Sequence, residues 1–275
     1  MDSQTARYGV LGVGALATAI VTGLCEGVAE PPAVVLSPRN ARAAAALAAR
    51  HATVAVAPDN QAVLDGGDVV GVCLRNADAD LLGELTWRED HVVVSAVAGL
   101  PLARLRELVA PASAVARACP MPAVATRSSR TPVHPPLAPV TALFDRLGGT
   151  MPIEDGDQFE SIFTAMGTVA PFFEYLRILS DFLVGHGLAP ADARQIVAAT
   201  FTGLLDPLTR EESPDFAELV REYAPSGGGN EQLTNLMRAA GVFDGMAQAV
   251  EEVHRRLSGA DVLRVEVAPE PDGAG

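Results

Sequence analysis

Gly12, Gly14 and Ala17 follow the short apolar run Tyr8-Gly9-Val10-Leu11 in the pattern Gly-x-Gly-x-x-Ala and lead into a helix-forming segment. This spacing suits the pyrophosphate of a dinucleotide. Gly12 lets the chain turn sharply, Gly14 leaves no side chain between backbone and phosphate, and Ala17 lets helix and strand pack closely. The N–H groups at the helix start, on Ala15, Leu16 and Ala17, then face the phosphates. The type of dinucleotide is read at the end of the second strand, Leu36-Ser37-Pro38-Arg39-Asn40. An acid in that place holds ribose hydroxyls, whereas a basic or hydroxyl residue accommodates a 2′-phosphate. The segment contains no acid, Ser37 can donate a hydrogen bond and Arg39 offers a planar, permanently charged fork, so NADPH is expected over NADH. The same residues would also serve as a polar loop capping the next helix.

The elements that must position these residues alternate in type. Strands are expected at 33–36, 53–56, 68–74, 91–96 and 115–118, with helices at 41–50, 61–65 and 101–109, the last begun by Pro101. Right-handed crossovers stack such strands into one doubly wound sheet with its ligand crevice at their carboxyl ends. Six prolines between Pro120 and Pro139 exclude continuous helix and predict a loop or edge extension in which sheet organisation fades. From Gln158 the spacing becomes helical, with Phe159, Ile162, Phe163 and Met166 on one face, then Phe172, Leu176 and Leu179 after a break at Pro171. Further helices are expected at 190–208, 215–222 and 230–257, the last broken by a left-handed cap at Gly241. The fold class is therefore α/β, an N-terminal doubly wound Rossmann domain (1–155) followed by an all-α domain (156–259) and a disordered tail (260–275). Wide apolar faces on so small a helical domain point to a homodimer.

Composition narrows the partners. The chain has 275 residues and a net charge of −14 without any basic run, which argues against nucleic acid. The N-terminus has no signal layout, and the most hydrophobic stretch, 159–184, carries Glu160, Glu174, Arg177 and Asp181. A cytoplasmic protein with no membrane span follows, that stretch being a buried helix. Cys25, Cys73 and Cys119 lack Cys-x-x-Cys spacing and the five histidines lack ligand spacing, so neither a disulfide framework nor a metal site is expected. Cys25 and Cys73 read as small core residues.

Several separated motifs resemble the pyrroline-5-carboxylate reductase family over most of the chain, up to about Leu257. Gly9 to Ala17 resembles its glycine turn and Ser37-Pro38-Arg39-Asn40 its 2′-phosphate loop, while Asp59-Asn60 matches its adenine-side pair. Val72-Cys73-Leu74-Arg75 stands where the family has an apolar run ending in Lys beside the cofactor, and Ser95-Ala96-Val97-Ala98-Gly99 resembles its next strand and turn. The resemblance implies that Asn40, Asn60, Leu74, Arg75, Ala98 and Gly99 line the cofactor. It also implies reduction of a cyclic imine by NADPH, giving proline, with the enzyme supplying position and a proton.

The substrate half departs from the family. Arg117-Ala118-Cys119-Pro120-Met121-Pro122 resembles Arg-Ala-Met-Pro-Asn-Thr-Pro but lacks the Asn near substrate, leaving Met121 there. Thr164 to Pro171 replaces a Ser-Gly-Ser-Gly-Pro loop, and Thr168 is the residue that could hydrogen-bond an imine nitrogen or relay its proton. Ser226-Gly227-Gly228-Gly229-Asn230-Glu231 takes the place of the substrate-carboxylate loop, with Asn230 and Glu231 where the family has threonines. Its amides can cradle a carboxylate, or the segment is a flexible loop with Asn230 as N-cap and Glu231 in the first helical turn. A Glu231 carboxylate among those amides would compete with an acidic substrate. Either it points away to the helix surface, or the substrate is a cationic or neutral imine. Two other functions remain open on sequence: a reductase of a different imine or carbonyl in a specialised pathway, and a non-catalytic NADP-binding regulatory protein.

Overall fold

The computed structural model describes residues 6–205, 208 and 215–258; the tail expected at 260–275 lies outside them. The strands are β1 (Tyr8–Leu11), β2 (Val34–Leu36), β3 (Val54–Val56), β4 (Val69–Val72), β5 (Val92–Ser95), β6 (Ala114–Ala118), β7 (Thr131–His134) and β8 (Thr150–Pro152). Among the described residues they form one eight-stranded sheet in the order β3-β2-β1-β4-β5-β6-β7-β8. The first six are parallel, as the Val-rich runs of β4 and β5, buried on both faces, require. Strand order reverses between β2 and β4 on either side of β1, which opens the crevice of a doubly wound sheet there.

Helices α1 (Ala15–Cys25), α2 (Ala41–Arg50), α3 (Asn60–Gly66) and α4 (Leu102–Leu108) cover the two faces. One buried cluster joins α1 and α2 to the sheet through Val10, Leu24, Leu36 and Leu47. The other, around Leu64, Leu82, Trp87, Val93 and Leu105, lies on the opposite face. A 3-10 helix, Asn76–Glu84, follows β4. His91 is fully buried in this second cluster, accepting from the Arg88 amide and bonded to the Leu64 carbonyl, each at 3.0 Å. Burial and, after it, the nearby Arg88 guanidinium push its pKa down, so it is a neutral packing residue.

Sheet organisation does not fade in the proline-rich segment. β7 runs antiparallel to β6, and β8 pairs parallel to β7 across α5 (Ala138–Asp145). The prolines fit because β7 lies near the sheet edge and Pro139 falls in the first turn of α5, where a missing N–H costs nothing. A short 3-10 turn, Pro122–Thr126, packs directly on α1: a Cβ at Gly23 would lie 2.3 Å from the Val124 carbonyl.

The chain divides into two compact units. One comprises the described residues up to Phe163 together with those from His254, the other Thr164–Val253. α6 (Gly156–Met166) begins in the first and buries Phe159, with Ile162 and Phe163 half-buried beside it. The second unit holds α7 (Val169–Gly185), α8 (Pro190–Leu205), α9 (Phe216–Tyr223), α10 (Gly229–Ala239) and the larger part of α11 (Val242–Leu257). The helical break falls at Gly167-Thr168 rather than at Pro171, which sits in the first turn of α7 where proline is tolerated. Gly241 has φ +72°, the left-handed conformation expected between α10 and α11.

The expectation that 159–184 forms a buried helix is corrected. α7 has no buried residue, and Phe173 and Phe182 are 62% and 61% exposed. By length and composition alone the helical stretch Gly156–Gly185 could cross a membrane. Three of its five charges form one solvent-exposed cluster, in which Arg177 pairs with Glu174 and Asp181.

Candidate active site

The carboxyl ends of β2, β1, β4, β5 and β6 lie side by side. Val10 is in register with Leu36, and Leu11, Val72, Ser95 and Arg117 form one row across the sheet. The residues that follow these positions therefore converge on one edge, and they include every expected cofactor residue except Asn60, which follows β3. Gly12 leaves β1 with φ +88°, and a Cβ there would lie 2.6 Å from the Cys73 carbonyl oxygen, with Leu74 packed over it. Only glycine fits on both counts. Gly14 is the opposite case: its backbone is extended, and a Cβ would meet nothing within 4 Å.

Gly14 is the N-cap of α1, with no side-chain cap and no acid in the first turn. The N–H groups of Ala15, Leu16 and Ala17 precede the first intrahelical bond, Thr18 N–H to the Gly14 carbonyl at 2.9 Å. A bare, positively polarised helix start beside an empty glycine position fits a phosphate group. A dinucleotide bound here would supply the hydride; the chain supplies the amides that hold its pyrophosphate.

Two residues of the expected 2′-phosphate loop face inward instead. Ser37 is 1% exposed and its Oγ accepts from the Gly12 amide at 2.9 Å, because pairing of Leu36 with Val10 puts the next residue against the turn. Asn40 caps α2, accepting from the Ala43 amide, and donates to the Val13 carbonyl at 2.8 Å. Both brace the glycine turn. Arg39 is exposed, but its guanidinium is paired at 3.0 Å with Asp78, which also binds Arg75 at 2.9 Å. The two guanidiniums hold the Asp78 carboxyl below the usual carboxylate range, Arg75 contributing the larger hydrogen bond. The premise that no acid stands near Arg39 holds along the chain and fails in space.

Asn60 opens α3 behind the Asp59 cap, Ala98 is exposed and Gly99 turns at φ +73°, its carbonyl receiving Asn76 Nδ2 at 3.4 Å. Met121 is half-buried and caps the 3-10 turn after β6.

Sequence reasoning missed a buried pair. Arg117, on β6 and 2% exposed, pairs with Glu160 of α6 and lies over the rings of Phe159 and Phe163, 5.1 and 5.4 Å from their centroids. Its Nε and Nη2 have no hydrogen-bond partner. An arginine inside an apolar β-strand followed by a helical Glu flanked by phenylalanines was the available signal.

In the helical unit, Thr168 precedes α7 and its hydroxyl donates to the Ala165 carbonyl at 2.7 Å, closing the turn between α6 and α7. Gly228 caps α10 and Gly227 has φ +78°. Glu231 does not point away: its Oε2 accepts from the Gly227 amide at 2.7 Å. Asn230 donates to the Tyr223 carbonyl at 2.9 Å and is not the N-cap. The loop of Gly227, Gly228 and Gly229 therefore already holds a carboxylate, its own.

Residues 158–259 match the family model for pyrroline-5-carboxylate reductase dimerisation, and residues 7–99 match that for NADP oxidoreductase, coenzyme F420-dependent. The pyrroline-5-carboxylate reductase of Mycobacterium tuberculosis is 26% identical over 236 residues, 78% of this chain and 79% of that protein. The chain is similar to the pyrroline-5-carboxylate reductase family over most of its length. The proteins it matches are NAD(P)-dependent oxidoreductases. The fold is similar to that of the 1-pyrroline-5-carboxylate reductase of Streptococcus pyogenes, at 20% identity and TM-score 0.77 over 93% of this chain and 99% of that one. The Plasmodium falciparum pyrroline carboxylate reductase with NADP bound superposes with TM-score 0.76 at 14% identity, covering 93% and 98%.

Proposed function

We propose that the protein is a cytoplasmic, NADPH-dependent reductase of the C=N bond of a cyclic imine, acting as a homodimer through its helical unit. The observation that carries the cofactor half is the uncapped start of α1 beside Gly14, built for pyrophosphate. The dimer reading rests on the match of residues 158–259 to a dimerisation model and on the exposed Phe173, Phe182, Leu233 and Leu236 of the helical unit. Reduction of pyrroline-5-carboxylate to proline is the reaction the family suggests. The position of Glu231 on the Gly227 amide favours a second reading, an imine without a carboxylate, because the substrate's anion would meet a carboxylate already in place.

The deciding experiment follows NADPH oxidation with pyrroline-5-carboxylate, with carboxylate-free five- and six-membered cyclic imines, and without substrate. Turnover of pyrroline-5-carboxylate supports proline synthesis, and turnover of the carboxylate-free imines alone supports the second reading. NADPH binding with no turnover of any of them would make the protein a nucleotide-binding regulator.

Two variants test the parts. Glu231→Thr is expected to raise kcat/KM for a carboxylate-bearing imine about tenfold, about the value of one charge-assisted hydrogen bond, while leaving a carboxylate-free imine unchanged. An equal change for both would show that the loop does not meet the substrate's anion. Arg39→Ala should raise the Kd for NADPH about tenfold and leave that for NADH alone. Equal weakening of both would remove Arg39 from 2′-phosphate recognition.

A further inference from the structure

The bridge from Arg39 to Asp78 crosses the crevice. Arg39 follows β2, Arg75 and Asp78 follow β4, and β1 with its glycine turn lies between those two strands. One carboxylate thus ties together two guanidiniums that approach from opposite sides of the glycine turn, with Arg39 Nη1 at 3.0 Å from Oδ2 and Arg75 Nε at 2.9 Å. The arginine side chains are 55% and 75% exposed, whereas that of Asp78 is 17% exposed beneath them. Both cations can swing to a ligand; the anion is the more enclosed partner. Asp80 and Glu84 line the same shallow pocket with Arg39, and Asp80 is engaged by Arg104 at 2.9 Å.

We infer that Asp78 sets the choice between NADPH and NADH by holding Arg39 and Arg75 in an internal ion pair that a 2′-phosphate must displace and that a ribose hydroxyl does not disturb. The inference rests on the dinucleotide reading of the glycine turn. A 2′-phosphate carries charge of the same sign as Asp78 and competes for the same N–H groups, so part of its attraction to the arginines is spent in breaking their existing bonds. An unphosphorylated ribose offers hydroxyls, for which a carboxylate is an acceptor, the role an acid after β2 fills in NAD-binding sheets. Here the acid comes from the segment after β4. Asp78 accordingly narrows the preference for NADPH that Arg39 alone would give.

The test is equilibrium binding, read from the fluorescence of the reduced nicotinamide, of NADPH and NADH to the full-length protein and to Asp78→Asn. The amide keeps the shape and removes the charge. The expected result is an NADPH Kd lowered about tenfold, with the NADH Kd unchanged or raised, and a steeper weakening of NADPH binding by salt in the variant. Arg39→Ala should then cost NADPH more in the Asp78→Asn background than in the wild type, since the freed guanidinium carries more of the contact. An unchanged ratio of the two Kd values in Asp78→Asn, with both nucleotides still bound, overturns the role of Asp78 and leaves the cofactor site standing. Failure of the folded wild-type protein to bind either nucleotide overturns the reading of the site, and this inference with it. Should Asp78→Asn fold poorly, Asp78→Ser removes the same charge and is held to the same ratio.

Discussion

Gly14→Val is expected to fold with thermal stability close to that of the wild type and to bind NADPH about a hundredfold more weakly, whereas Gly12→Ala is expected to lose more stability as well as binding. Valine adopts the extended backbone of residue 14 without strain, and the space there is open, so the cost to folding is only that of a poorer helix N-cap, about 1 kcal/mol or less. The isopropyl group would stand where the phosphate must approach the first-turn amides, and a hundredfold loss corresponds to about 2.7 kcal/mol of lost contact. At residue 12 even a methyl group meets the Cys73 carbonyl at 2.6 Å in a left-handed conformation. Backbone must move, and a destabilisation of about 1–3 kcal/mol follows. Thermal melts and nucleotide titrations of both variants check the contrast. Normal NADPH binding by Gly14→Val would mean that the pyrophosphate does not sit at α1.

The second large effect is at Glu160. Removing its carboxylate as Glu160→Leu leaves the Arg117 guanidinium buried among Phe159 and Phe163 with two donors already unpartnered. Breaking a buried pair from one side costs about 3–5 kcal/mol, and the partial exposure of Glu160 puts the expectation at the lower end. The double variant Arg117→Met with Glu160→Leu should recover most of that loss, because an apolar replacement of similar volume removes the uncompensated charge together with its partner. Urea denaturation of the two variants decides it. A single variant within about 1 kcal/mol of wild type would show that the pair does not hold β6 to α6.

The glycine turn was legible from sequence because its signal is local: the strand, the two glycines and the small residue at position 17 each answer to backbone sterics within ten residues. The parallel strands were equally legible, since a strand buried on both faces is a run of valines. β7 and β8 were not, because their prolines argue against a strand and only the antiparallel turn back onto β6 makes that backbone a sheet edge. Ser37 shows the limit for a single side chain. Its identity marks it as a hydrogen-bonding residue, but the register of β2 on β1 decides that it accepts from the Gly12 amide.

The sequence by itself determined the glycine turn after β1, the alternation that makes a doubly wound sheet and the change to helical spacing near residue 158, all consequences of local sterics and hydrophobic periodicity. Tertiary structure alone decided which charges meet. Asp78 lies 39 residues from Arg39 and Glu160 lies 43 from Arg117, and each pair forms because strand order or helix return brings distant segments together. Glu231 reaches only four residues back, yet which way it turned depended on the left-handed glycine at 227 presenting its amide to the helix start. Electrostatic partners are chosen by distance in space, and no pattern along a chain records that distance.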